Sequence, residues 1–94
     1  MDKKELIVKV LRKAQSYQQL LVGVHDVNVD ATATNGTLNV TVSFYPRDEK
    51  NELCRDDKGE LILMQWSYYE ALDSEEKLEN QLKNMCETLN KYVA

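Results

Sequence analysis

The sequence predicts an α+β fold: a single domain over residues 1–94, built as a two-layer sandwich of order α-β-β-β-α, its antiparallel meander sheet covered by both helices on one face. Three observations predict it. Two runs of strict apolar–polar alternation meet at Asn35-Gly36, the dipeptide that suits a two-residue hairpin turn because both central residues take positive φ. A third alternating run follows at Glu60–Tyr69. At either end of the chain the apolar residues recur instead at steps of three and four, the period of a helix.

Taken in order, Leu6, Val10, Ala14, Tyr17 and Leu21 describe one stripe of a helix spanning Lys3 to Val22, with Ile7 and Leu11 beside it. Arg12, Ser16 and Gln19 fall opposite, Lys9 and Lys13 lie on the flank, and Gly23 is a natural stop. The hairpin then occupies the stretch from Val24 to Tyr45. With Asn35 and Gly36 as its loop, Ala33 faces Leu38, Ala31 faces Val40, Val29 faces Val42 and Val27 faces Phe44. All these residues share one face, and Asp26, Asn28, Asp30, Thr32, Asn39, Thr41, Ser43 and Tyr45 share the other. A slip of one residue would send one strand's apolar set into water, so the register is strongly specified.

The stretch from Pro46 to Gly59 is too polar for a core element and too long for a tight turn. Leu53 and Cys54 are candidates for a short extra strand turning at Asp57-Lys58-Gly59. In the third strand, Glu60–Tyr69, the alternation puts Ile62, Met64, Trp66 and Tyr68 on the core and Leu61, Leu63, Gln65, Ser67 and Tyr69 outside. Asp73 or Ser74 followed by Glu76 resembles a capping box, and the acidic first turn complements the helix dipole. Leu78, Leu82, Met85, Leu89 and Tyr92 then form the stripe of a second helix. No internal repeat or linker is expected.

The net charge of −4 is unevenly spread: Asp2 to Val22 carries five basic and two acidic groups, leaving −7 for the rest. An acidic body disfavours phosphate backbones as a general partner. The longest apolar run is far short of a membrane span, and no continuous apolar stretch follows the basic N-terminus, so no membrane contact, no signal peptide and a cytoplasmic location are expected. Cys54 and Cys86 stand far apart without histidine neighbours, which fits reduced thiols rather than a disulfide framework or metal ligands.

Catalysis has little to stand on. His25 is the single histidine, on the core side of the first strand, and a Cys–His dyad with Cys54 or Cys86 would need a contact that spacing does not supply. Asp56, Asp57 and Glu60 lack the ligand spacing of a calcium loop, and the three glycines fall singly at element boundaries. The sequence therefore predicts no enzyme, no cofactor and no metal. The element order is shared with the double-stranded RNA-binding domain, but that module sets lysines at the start of its second helix, where this chain has Asp73, Glu75 and Glu76.

The leading expectation is a protein-interaction or assembly domain that self-associates through its sheet, using Tyr45, Leu61, Leu63 and Tyr69 on the outer face. The alternative is a nucleic-acid-linked accessory protein, acting through Lys9, Arg12 and Lys13 or by acidic mimicry of nucleic acid. A third class, a small-molecule binder, would need a pocket between helices and sheet shaped by Trp66, Met64, Ala31 and Ala33.

Overall fold

A computed structural model describes residues 2–22 and 25–93. Its elements are α1 (Lys3–Leu20), β1 (Val27–Thr34), β2 (Thr37–Phe44), β3 (Met64–Tyr69) and α2 (Glu75–Asn90). The three strands form one antiparallel sheet in the order β1-β2-β3, and both helices pack on the same face.

Helix α1 starts where Asp2 accepts the Glu5 N–H at 2.8 Å, meeting one of the orphan donors of the first turn. Its buried stripe is Leu6, Ile7, Val10, Ala14 and Tyr17, extended by Leu21. The expected stop at Gly23 lies outside the described residues. The last turn closes through the Leu21 N–H on the Tyr17 carbonyl and the His25 N–H on the Leu21 carbonyl, both at 2.9 Å.

The hairpin has the expected register, from Val27 opposite Phe44 to Thr34 opposite Thr37. Asn35 and Gly36 take φ of 52° and 77°, the left-handed pair of a type I′ turn. Val27, Val40, Val42 and Phe44 are buried under the helices, but Ala31 and Ala33 are exposed although they share that face. Both stand on the edge strand, although α1 reaches as far as the hairpin turn, where the Lys4 ammonium donates to the Gly36 carbonyl at 3.4 Å.

Strand β3 is shorter than the alternation implies. It pairs with β2 from Phe44–Met64 to Asn39–Tyr69, so Glu60 to Leu63 lie outside the sheet. Trp66 and Tyr68 are buried and Met64 half-buried, as expected, whereas Ile62 is 36% exposed. The reason is a competing partner: residues 60–62 pair back onto residues 54–56.

That pairing belongs to an arm whose sequence is an internal repeat, contrary to the expectation of none. Pro46-Arg-Asp-Glu-Lys-Asn-Glu-Leu53 and Cys54-Arg-Asp-Asp-Lys-Gly-Glu-Leu61 match at five of eight positions and fold alike. In the first octad Asp48 N–H donates to the Glu52 carbonyl, and its carboxylate accepts the N–H groups of Lys50 and Glu52. In the second, Asp56 makes the same three bonds with Glu60 and Lys58. Asn51 and Gly59 supply the positive φ each turn needs, 63° and 81°, and Arg47 and Arg55 donate to their carbonyls at 2.9 and 2.8 Å. The octads stack through Cys54 N–H on the Pro46 carbonyl and Ile62 N–H on the Cys54 carbonyl. The expected turn at Asp57-Lys58-Gly59 is therefore present, with a twin one octad earlier.

Helix α2 is capped by Ser74, which accepts the Lys77 N–H at 3.2 Å. The capping box does not close, because the third helical residue is Lys77 rather than a carboxylate. Asp73 turns back onto the sheet instead. Leu78, Leu82, Met85 and Leu89 complete the core, and α2 lies over β3 while α1 lies over β1 and β2.

Candidate functional site

The helices seal one face of the sheet and leave the other bare. That outer face presents Asn28, Asp30 and Thr32 on β1, Asn39, Thr41 and Ser43 on β2, and Gln65, Ser67 and Tyr69 on β3. Thr41 and Ser67 hydroxyls meet across it at 3.5 Å. The apolar groups are gathered at the arm. Tyr45 and Leu63 each flank the Phe44–Met64 pair that ends the ladder, and Leu61 is opposite Arg55 in the second octad. Leu61 is 39% and Leu63 44% exposed, and Tyr45 is half-buried.

Tyr69, also exposed, sits at the other end of β3 opposite Asn39. Six residues of extended chain separate it from Leu63, about 20 Å at the usual rise per residue. The structure thus brings Tyr45, Leu61 and Leu63 to one end and leaves Tyr69 at the other. Leu53, half-buried opposite Arg47, is a further apolar residue of the arm that alternation alone did not single out. The repeated Arg-Asp-x-Lys-x-Glu-Leu is the signal that would have found it.

The two edges of the sheet differ. Leu38 bonds to Glu70 with both its N–H and its carbonyl, so the even-numbered residues of β2 face β3 and the odd-numbered ones face β1. By the antiparallel alternation, Val27, Val29, Ala31 and Ala33 turn their backbone groups outward on β1, as Gln65, Ser67 and Tyr69 do on β3. On β3 the end of this row is closed: Asp73 takes the Tyr69 N–H on its carboxylate and gives its own N–H to the Tyr69 carbonyl, both at 2.9 Å. Alongside, the Trp66 indole N–H reaches Asn84 of α2 at 2.9 Å. On β1 the Gln18 amide covers the Val27 carbonyl at 2.9 Å, at the opposite end from the hairpin turn.

Basic residues also line the helical layer. Lys4, Lys9, Arg12 and Lys13, with Glu5, Val8 and Ser16, line an open groove of about 560 Å³ along α1. Lys9 and Lys13 also border a groove of about 350 Å³ against Glu79, Leu82, Lys83 and Cys86 of α2. Among the described residues none of these cations is ion-paired; the pair found is Lys77 with Asp73 at 2.9 Å.

Four buried titratable groups are displaced from their ordinary values. Burial pushes the Tyr17 hydroxyl up to about 12, where it donates to Asn90 Oδ1 at 2.7 Å and to the Cys86 carbonyl at 3.3 Å. Tyr68 is likewise raised by burial; its hydroxyl donates to the Gln81 carbonyl at 3.1 Å. For Asp73 burial works against ionisation, but the bonds from Lys77 and the Tyr69 N–H prevail and hold the carboxyl below its usual range. His25 is lowered by burial and by the charge of Arg47, and among the described residues its buried Nδ1 has no hydrogen-bond partner. Its ring lies edge-on to Phe44 and Tyr92 at 5.4 and 5.2 Å, so the structure surrounds it with aromatic carbon. Cys54 and Cys86 are free thiols, both half-buried.

No protein-family model matches the chain, and no curated protein or solved structure matches it. Among the described residues no helix is long and apolar enough to cross a membrane.

Proposed function

We propose that this protein is a non-enzymatic interaction and assembly domain that works through its sheet, with a second copy of itself as first partner. One observation carries the reading: the sheet is covered on one face by two helices and bare on the other, and just past the end of the sheet the arm presents Leu61 and Leu63, with Leu63 following on from the Phe44–Met64 pair beside Tyr45. Apolar side chains gathered on an open sheet face gain roughly 1.5–3 kcal/mol each when fully covered. The charged turns of the arm, Asp48 to Asn51 and Asp56 to Gly59, stand around them as a polar rim that selects a partner rather than adding affinity.

Light scattering behind size exclusion, over a dilution series at two salt concentrations, tests it. An oligomer that survives dilution and high salt is expected, since apolar and backbone contacts are screened little by ions. A monomer under every condition would remove self-association. Leu61→Glu should leave the circular dichroism spectrum and melting unchanged, because Leu61 is 39% exposed, while weakening any contact made by the outer face at least about tenfold. A Leu61→Glu chain that unfolds would mean that Leu61 belongs to the core.

A second reading has the basic groove of α1 as its observation: Lys4, Lys9, Arg12 and Lys13 gather on one helix of an otherwise acidic chain. Contact with a phosphate backbone there would be salt-sensitive and lost when Lys9, Arg12 and Lys13 are replaced by glutamate.

A further inference from the structure

We infer that two copies of the chain join along β1, antiparallel, with Ala31 facing its own counterpart, so that two three-stranded sheets become one of six. The inference rests on the reading that the protein assembles through its sheet, and it specifies the contact.

Strand β1 offers an open edge. It is an edge strand of eight residues in continuous register, with no bulge, proline, lysine or arginine. Those are the devices that usually keep edges from pairing. The β3 edge, in contrast, is closed at Tyr69 by Asp73 and flanked by the Trp66–Asn84 bond. On β1, among the described residues, the one guard is Gln18, which occupies the Val27 carbonyl. Val29, Ala31 and Ala33 remain with outward N–H and carbonyl groups.

Those three residues select the register. An antiparallel two-fold that pairs the set onto itself must place Ala31 opposite Ala31 and Val29 opposite Ala33. Each pair then exchanges both of its backbone bonds. Shifting the centre to Asp30 would set two carboxylates face to face and would need the Val27 carbonyl that Gln18 holds. Shifting it to Thr32 would leave Val29 unpaired. With Ala31 at the centre, Asp30 faces Thr32 and Asn28 faces Thr34, so no like charges stand directly opposite and the two Asp30 carboxylates are set apart on the diagonal.

The side chains agree with the backbone. Val29, Ala31 and Ala33 share the helix-facing side of the sheet, yet on this edge strand Ala31 and Ala33 are exposed and Val29 is half-buried. Pairing in this register places the Val29 of one copy beside the Ala33 of the other, with the two Ala31 between. The exposed edge of each apolar face becomes the middle of a shared one. The small side chains keep the approach of two backbones open.

The experiment is cross-linking combined with light scattering on the full chain, in a background with Cys54→Ser and Cys86→Ala. A Cα separation of about 5.5 Å across a hydrogen-bonded pair fits a disulfide. Ala31→Cys should therefore oxidise to a covalent dimer, and Val29→Cys should do so when mixed with Ala33→Cys but far less alone. Ala31→Pro removes an outward N–H that no strand of the same chain uses. It should leave the circular dichroism spectrum folded, convert the dimer to monomer and raise the dissociation constant at least 100-fold. Leu61→Glu should keep the β1 contact, read as the Ala31→Cys cross-link, even where it weakens a contact made through the outer face. If Leu61→Glu yields the monomer and Ala31→Pro does not, the edge inference is overturned while assembly through the outer face stands. If the parent chain is monomeric at all concentrations and Ala31→Cys does not cross-link, both are overturned.

Discussion

Asp73 offers a direct test of how this small sheet is closed. Its side chain is almost fully buried, accepts the Tyr69 N–H at 2.9 Å and meets Lys77 at 2.9 Å. The Lys77 ammonium is 61% exposed, so that ion pair adds at most about 1 kcal/mol. The larger part is the hydrogen bond to an ionised acceptor, about 1.5–3 kcal/mol, because its loss leaves a backbone N–H unpaired at the end of β3. Asp73→Ala should therefore cost about 2–3 kcal/mol, on the order of 10 °C in Tm for a chain of this length. Asp73→Asn retains an accepting oxygen and should cost about 1 kcal/mol. The pH dependence has a definite sign. The folded carboxyl titrates below its ordinary value of 3.8, so its stabilisation is complete above that value and fades as pH falls through the folded pKa. Urea unfolding of wild type, Asp73→Ala and Asp73→Asn from pH 7 to pH 2.5 reads all of this. If Asp73→Ala costs no more than Glu76→Ala on the exposed first turn of α2, or if the gap between wild type and Asp73→Asn does not narrow on acidification, the reasoning is refuted.

Two further perturbations probe the hairpin and its root. Gly36 has φ of 77° and open space where a Cβ would stand, so Gly36→Val meets backbone strain alone and should cost about 1–3 kcal/mol in urea titration; a loss under about 0.5 kcal/mol would contradict the turn geometry. Neutral His25 is buried among aromatic rings, chiefly desolvated and secondarily repelled by Arg47, with Asp26 the nearby opposing charge. Its folded pKa lies below the ordinary 6.5, so its share of stability is whole above that value and is lost as pH drops below it. His25→Phe should flatten the stability curve between pH 7 and pH 5, and identical slopes in both proteins would show that the histidine is already solvated.

Much of the architecture was legible because its causes are local. Asn35-Gly36 and the alternation on either side of it specify a turn and a register within the same stretch of chain, and the register is as expected at every pair from Val27–Phe44 to Ala33–Leu38. The helical stripes behave likewise: Leu6, Val10, Ala14 and Tyr17, and Leu78, Leu82, Met85 and Leu89, are all buried. The start of β3 departs from the expected Glu60 because alternation from there onward is equally compatible with two partners. The octads supply the nearer one, and their shared Arg-Asp-x-Lys-x-Glu-Leu was present in the sequence to be read. Of the candidate interaction residues, Tyr45, Leu61 and Leu63 come together at the arm, and Tyr69 does not, since face alone says nothing about position along a strand.

By itself the sequence determined the turns, the helix stripes, the hairpin register and the order of elements, because each depends on φ preferences and side-chain periodicity over a few neighbouring residues. Only the tertiary structure decided that the β3 edge is closed at Tyr69, that Ala31 and Ala33 stay exposed on β1, and that the His25 Nδ1 has no hydrogen-bond partner among the described residues, with Phe44 and Tyr92 beside the ring. Those outcomes depend on how far α1 and α2 reach across the sheet, and on side chains such as Gln18 and Asn84 meeting strands in another part of the chain. Packing between elements distant in sequence sets them, and no local preference encodes it.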